Sequence, residues 1–336
     1  MKALVLMEPN RLEMADVPVP NVRPGNVLVR TGAATICTSD LNDIAHNPFG
    51  IALPVVIGHE GAGTIALVGE GVKGFKEGDE IASHPVMPCM QCDSCRRGLH
   101  HLCDNMEHLG ITRGGTFAEY FEIRADRIRR KPAALTFAQA SLMEPVCVCL
   151  EAIERGQVKT DSNVMVIGDG PFGIMIAKLA FARKPRRVIF VGRHPFRLNQ
   201  VPEAIRINET ASRDPLREIL DATDGQGIDS AILAVGSKDA VALSIAALRS
   251  RGTLSVFSGI TDPVPVDLWK LHIKELMIHG SCNDMDALDE ALALLLRPDL
   301  DLQGMISHTF SFDRWREAFD TAAHGKEKAL KVSIVM

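Results

Sequence analysis

Cys89, Cys92, Cys95 and Cys103 share one short stretch, the first three separated by two residues each and the last by seven. Two-residue gaps let a tight turn aim successive sulfurs at one centre. Four thiolates close a tetrahedral shell around one zinc ion and leave no open position, so the expected role is structural. Four unlinked thiols on a surface loop would be a chemical liability. A redox dithiol normally opens a helix after a strand, which this stretch does not resemble. His100, His101 and His108 lie nearby and are read as surface residues without a role.

A second pattern runs Val164-Met-Val-Ile-Gly168-Asp-Gly170-Pro171-Phe172-Gly173. A bare G-x-G-x-x-G is weak, but here it follows a β-branched run and opens an apolar helical stretch. Gly168 allows the tight turn, Gly170 lets a pyrophosphate approach the backbone, and Gly173 lets helix and sheet pack closely. The helix N-terminus favours the anion. Pro171 and Phe172 complete the loop, and the whole predicts a dinucleotide site.

The end of the next strand bears on which dinucleotide. NAD sites usually place Asp or Glu there for the ribose hydroxyls. This chain reads Val191-Gly192-Arg193-His194-Pro195-Phe196-Arg197, with Gly192 in the acidic slot. Glycine leaves room for a 2′-phosphate, Arg193 offers it a bidentate partner and Arg197 assists. The expectation is NADP, with NAD as the alternative.

The elements that must position these loops fall into two styles. Up to about residue 150, short runs at 3–7, 26–31, 63–68, 80–83 and 118–123 read as strands punctuated by glycine and proline turns. They predict a small β-barrel with long loops. Beyond Pro145, helix 146–155, strand 163–167, helix 174–183 and strand 187–191 alternate. Strand 230–234, helix 239–248 and strand 253–257 continue the pattern, which signals a doubly wound parallel sheet. Residues 288–296 and 315–323 read as helices and 329–335 as a last strand.

With 336 residues the chain suits two domains. Its 37 basic and 42 acidic residues give a net charge of −5, which builds no field for nucleic acid. The basic run 127–131 is read as a solvated strand end. The apolar stretch 164–182 carries Asp169 and Lys178 and cannot be a membrane span. No signal-peptide core is evident, so a cytoplasmic protein is expected. Eight cysteines, clustered in such a chain, favour metal over disulfides.

Taken in order, several pieces resemble the zinc-dependent medium-chain dehydrogenases, closest to the sorbitol and threonine dehydrogenase branch. They are Met1-Lys-Ala-Leu, Cys37-Thr-Ser39-Asp40, Gly58-His59-Glu60-Gly61-Ala-Gly63 and Gly78-Asp79, then the four-cysteine loop. Gly114-Gly115-Thr-Phe-Ala118-Glu119-Tyr120, Glu144-Pro145 and the glycine loop follow. The resemblance spans essentially the whole chain. It implies an α/β protein with a GroES-like β-barrel catalytic domain over 1–147, a Rossmann NAD(P)-binding domain over 148–284, and a return segment 285–336 completing the catalytic domain.

It also implies one catalytic and one structural zinc. Cys37 and His59 would be catalytic ligands, with Glu60 a ligand or a close outer carboxylate. Glu144 matches the polyol-dehydrogenase glutamate, although Cys147 and Cys149 lie close by in sequence. Zinc would lower the pKa of a bound secondary or primary alcohol, which then passes hydride to the nicotinamide; the reverse reduces a ketone. Ser39 matches the hydroxyl that takes the alcohol proton. The family's relay histidine is replaced by Asn42, which cannot titrate, so either water carries the proton onward, or His46 or Asp43 substitutes, or the step is less demanding.

The implied pocket is lined by Asn42, Ile44, Phe49, Met87, Phe117 and residues 280–284. It suits a polyol, a cyclitol-like ring or a simple secondary alcohol. A homo-oligomer, dimer or tetramer, is expected through the edge of the nucleotide-binding sheet. A zinc-independent reductase of the same superfamily is disfavoured by the joint presence of Cys37, His59 and Glu144. A non-catalytic NADP-binding sensor or structural protein has only Asn42 in its support.

Overall fold

The computed structural model describes every residue except Phe49, Met285, Lys326 and Glu327. The chain forms two compact units. One comprises Met1–Cys147, Met285–Pro298 and Gln303–Met336; the other comprises Val148–Asp284 and Asp299–Leu302. Phe49, expected to line a pocket, and Met285, where the return segment was expected to begin, lie outside the described residues.

The first unit is built on a seven-stranded sheet. Its central strand, Asn26–Ile36, pairs antiparallel with Glu60–Val68, with Tyr120–Arg124 and with the C-terminal strand Lys331–Val335. A three-stranded sheet adds Lys2–Glu8, Arg11–Asp16 and the short Val55–Val56. Several apolar clusters fill the unit, two of them large. One gathers Leu4, Ile36, Ile57, Phe117, Trp315 and Phe319. The other gathers Val29, Ile65, Ile81, Met87 and Phe121. The basic run at 127–131 departs from its expected solvation. Arg127 is buried, paired with Asp286 and with His84 Nδ1, and Lys131 pairs with Glu80 at 3.0 Å.

The second unit carries six parallel strands. From edge to edge they are Ile205–Asn208, Arg187–Gly192, Asn163–Ile167, Ile228–Leu233, Leu248–Val256 and Met277–Gly280. Numbered in chain order this is 3-2-1-4-5-6, the doubly wound arrangement in which ligands bind beyond the carboxyl ends of the strands, where the order reverses. All five residues of the first strand, Asn163-Val-Met-Val-Ile, are buried, as a central parallel strand covered on both faces requires.

The helix after the glycine loop runs Pro171–Ala180, three residues earlier than its apolar pattern suggests. Pro171 sits at the first helical position, where its missing N–H costs nothing. The loop needs its glycines for two different reasons. Gly168 has φ +114°, and a Cβ there would meet Ala234 O at 2.6 Å. A Cβ on Gly173 would lie 1.7 Å from Gly168 O. Gly173→Ala is therefore expected to cost about 1–3 kcal/mol by forcing helix and strand apart. Chemical denaturation followed by circular dichroism measures it, and an unchanged midpoint would show that the helix shifts freely.

Candidate active site and metal-binding clusters

Three neighbouring strands of the first unit end side by side, and their ends carry the reactive groups. Glu60 opens its strand opposite Thr35, and Val332 lies opposite Ile36. Cys37 follows Ile36 directly, and Lys331 precedes Val332. Cys37 Sγ, a ring nitrogen of His59 and a carboxylate oxygen of Glu60 lie within 4.8 Å of one another, and all three residues are buried.

The loop Cys37–Asp40 is locked by the start of the helix Thr38–His46, with Cys37 at the N-cap. Cys37 N donates to Asp40 Oδ2 at 2.8 Å. The other oxygen of Asp40 lies 3.2 Å from His59 Nδ1. A carboxylate on Nδ1 fixes the ring and leaves Nε2 for a metal. Ser39 Oγ sits 3.4 Å from that Nε2. Burial disfavours the charged imidazole, but Asp40 and Cys37 outweigh it and raise the His59 pKa.

Lys331 completes the cluster. Its Nζ bonds Glu60 Oε1 at 2.5 Å, and both side chains are inaccessible to solvent. Burial works against the lysine charge, yet Glu60, Cys37 and Glu144 hold its pKa above the usual value. Glu60 Oε2 is buried without a hydrogen-bond partner among the described residues. That orphaned oxygen, beside a thiol and an imidazole, fits a Cys/His/carboxylate zinc site with room for a further ligand. Glu144, in the first turn of the helix Met143–Arg155, is buried and within electrostatic reach of Lys331, but does not join the three-residue cluster. Cys147 lies instead with His84, thiol and ring nitrogen within 4.8 Å.

The four cysteines of the loop bring their sulfurs within 4.8 Å of one another. Backbone N–H groups of Cys92, Cys95 and Cys89 point at the sulfurs of Cys89, Cys92 and Cys103, at 3.4, 3.4 and 3.2 Å. Backbone donors, Gln91 N–H foremost, pull the Cys89 thiol down to about 6, while burial pushes Cys95 up to about 12. Four sulfurs this close cannot all ionise unaided, and a divalent cation is the group that allows it. The donor set fits a closed zinc shell.

At the glycine loop, a Cβ on Gly170 would project into open space, with nothing within 4 Å. That is the gap a pyrophosphate needs at a helix N-terminus. The expected room beside Gly192 is not there. A Cβ at Gly192 would meet Asp169 Cβ at 2.5 Å and Asp169 Oδ2 at 2.8 Å. Glycine is needed at 192 because the Asp169 side chain occupies the space. Nor is Arg193 free, since its Nε bonds Glu209. Arg197 lies on the four-residue helix Pro195–Leu198, and its Nε is buried without a partner among the described residues.

Of the expected pocket residues, Asn42 is exposed, whereas Met87 and Phe117 are fully buried, each in an apolar cluster of the first unit. His46 is exposed, and Asp43 is buried, its carboxyl pushed up to about 6 by burial and then by Asp40. Sequence reasoning gave no role to His108, yet its ring lies 5.8 Å from that of His59. Burial and the neighbouring His59 push its pKa down to about 3, so it is neutral at pH 7.

The order-reversing sheet with its glycine loop defines a dinucleotide-binding fold, and the buried thiol–imidazole–carboxylate cluster offers the donor set of a metal site. Comparison with known proteins agrees. Residues 23–133 match the alcohol dehydrogenase GroES-like domain, and residues 171–297 match the zinc-binding dehydrogenase family. The L-threonine 3-dehydrogenase of Pyrococcus horikoshii is 30% identical, over 94% of this chain and 92% of its own. The sorbitol dehydrogenase of Bacillus subtilis is 28% identical, over 99% of this chain and 97% of its own. An alcohol dehydrogenase of Escherichia coli CFT073, solved with NADH, superimposes with a TM-score of 0.93 at 27% identity, covering 100% of this chain and 99% of that one. A zinc-binding dehydrogenase of Sinorhizobium meliloti 1021, solved with NADP, gives 0.93 at 25% identity, with the same coverage. The chain belongs to the zinc-dependent medium-chain dehydrogenase family. No helix among the described residues is long and apolar enough to cross a membrane.

Removing Lys331 leaves the Glu60 carboxylate buried beside unneutralised groups. Lys331→Met is expected to destabilise the metal-free protein by about 3–5 kcal/mol. Adding Glu60→Gln is expected to recover much of that loss. Equilibrium denaturation of the two variants checks it, and additive effects would mean that the pair is not coupled.

Proposed function

We propose that the protein oxidises a secondary alcohol or polyol, or reduces the corresponding ketone, with NAD(P) as hydride partner. Residues 1–147 and 285–336 would form the catalytic domain and residues 148–284 the nucleotide-binding domain. The observation that carries this reading is the buried Cys37, His59 and Glu60 cluster with its unpartnered Glu60 oxygen. These three residues, with Glu144 beside Lys331, would hold a catalytic zinc, and Cys89, Cys92, Cys95 and Cys103 a structural one. The catalytic ion supplies Lewis-acid polarisation of the substrate oxygen.

The chain's own residues do the rest. Asp40 holds the His59 ring through Nδ1, which would leave Nε2 to hold the ion. The Ser39 hydroxyl, 3.4 Å from that nitrogen, is placed to take the substrate's hydroxyl proton. Asn42 cannot relay it, and of the two titratable alternatives on that helix Asp43 is the buried one. Gly168, Gly170 and Gly173, with Pro171 and Phe172, form the cradle that receives the dinucleotide phosphates. Either dinucleotide fits this reading, because the expectation of NADP loses its premise where Asp169 fills the slot beside Gly192. The relatives' names place sorbitol and L-threonine among the substrates to test.

A homo-oligomer is part of the same reading. Among the described residues nothing pairs with the outer side of the edge strand Met277–Gly280, and Met277 and Ile278 on it are exposed. Leu268 and Trp269, on the helix Leu268–Lys274 before it, are each 70% exposed. A second copy pairing edge to edge would cover this apolar strip. Ile278→Lys is expected to shift the protein to monomers in light scattering, and an unchanged mass would place the contact elsewhere.

Hydride transfer by zinc-replete protein against sorbitol, other polyols, secondary alcohols and L-threonine tests the reaction class. Zinc analysis tests the sites. Two ions per chain are expected, one in Cys95→Ser, and one with lost turnover in Cys37→Ser. Full turnover in Cys37→Ser would sink the catalytic assignment.

A further inference from the structure

The space above the end of the strand Arg187–Gly192 is where a dinucleotide-binding sheet meets the adenosine ribose. Here the strand offers glycine, and a carboxylate arrives from the side. Asp169, the residue between Gly168 and Gly170, packs directly over Gly192 and is largely buried. Its Oδ2 accepts hydrogen bonds from Arg193 N at 2.8 Å and His194 N at 2.6 Å, and lies 3.0 Å from His194 Nδ1. Two backbone N–H groups and an imidazole converge on one point, as they would around an anion. The anion already there belongs to the protein. Asp169 Oδ1 keeps no hydrogen-bond partner among the described residues.

We infer that Asp169 selects NAD over NADP, taking from the glycine loop the part usually played by an acid at the strand end. A ribose 2′-hydroxyl donates to Asp169 Oδ1 in a charge-assisted bond. A 2′-phosphate meets a fixed negative charge instead, and finds the convergent N–H donors already used. Two of the three cations nearby are already engaged. Arg193 is paired with Glu209, and His194 is turned towards Asp169. Arg197 is the one cation of this segment without a salt-bridge partner among the described residues. The inference rests on the NAD(P)-dependent reading of the protein, and it reverses the preference that Gly192 and Arg193 suggest in the sequence.

Fluorescence titration of the purified zinc-replete protein with NADH and with NADPH tests it without knowledge of the alcohol. The wild type is expected to bind NADH at least about tenfold more tightly, as a like charge within a few ångströms of the phosphate requires. Asp169→Asn, which keeps the shape and removes the charge, is expected to narrow the ratio by about tenfold or more. The double variant Asp169→Gly with Gly192→Asp returns the acid to the strand end and is expected to retain the NADH preference. Equal or tighter binding of NADPH by the wild type would overturn the inference and assign the site to Arg193 and Arg197. An unchanged ratio in Asp169→Asn, with an unchanged melting temperature, would also overturn it. Binding of neither nucleotide would overturn the NAD(P)-dependent reading itself, a different failure from the wrong preference.

Discussion

A lysine ammonium sealed inside a β-sheet is the constraint around which the first unit is arranged. Desolvating an ion costs several kcal/mol even after relaxation. Lys331 is tolerated because Glu60 meets it at 2.5 Å and because Cys37 and Glu144 add negative potential. These groups come from strands and a helix far apart in the chain; Glu60 and Lys331 alone are separated by 271 positions. Only the registers of Glu60–Val68 and Lys331–Val335 against Asn26–Ile36 bring them together. A shift by one residue would turn each side chain to the opposite face and leave a bare buried charge. The strand Lys331–Val335 is thereby tied to the cluster of Cys37, His59 and Glu60.

The same pair decides what Glu60 can do. One oxygen is committed to Lys331 and the other has no hydrogen-bond partner among the described residues, so the residue keeps a free donor atom beside Cys37 and His59. His59 is held in the same spirit by Asp40, and Cys37 by the helix it caps. Each donor is oriented by a neighbour whose own geometry is set by backbone hydrogen bonds. This is how a site keeps its shape to fractions of an ångström.

Much of this was legible in the sequence wherever spacing along the chain equals proximity in space. The four-cysteine loop and the glycine loop are such cases, because the residues that act together lie within one short stretch of chain. The buried parallel strands were readable from their apolar runs. The two edge strands of the same sheet, Ile205–Asn208 and Met277–Gly280, were not, since edge exposure lets them carry Arg206, Asn208 and His279. The helix Thr38–His46 has no continuous apolar stripe, and its cap is a cysteine, so neither usual signal marked it. Lys331 is one lysine within a run read only as a strand. His108 looked like any histidine on a loop. Their roles come from partners that no local pattern names.

Asp169 shows how a correct rule can be applied to the wrong residue. The rule that an acid near the end of the second strand greets the ribose is a statement about a point in space. It is usually read as a statement about a position some twenty residues along the chain. Here that position holds glycine, and the vacancy itself suggests a phosphate. Yet the side chain one loop away reaches the same point, and glycine at 192 is what lets it do so. The two substitutions explain each other: an aspartate between the first two glycines requires the missing Cβ at 192, and the missing Cβ would otherwise leave Arg193 N and His194 N without their acceptor. Position 192 thus carries information about cofactor choice only when it is read together with position 169.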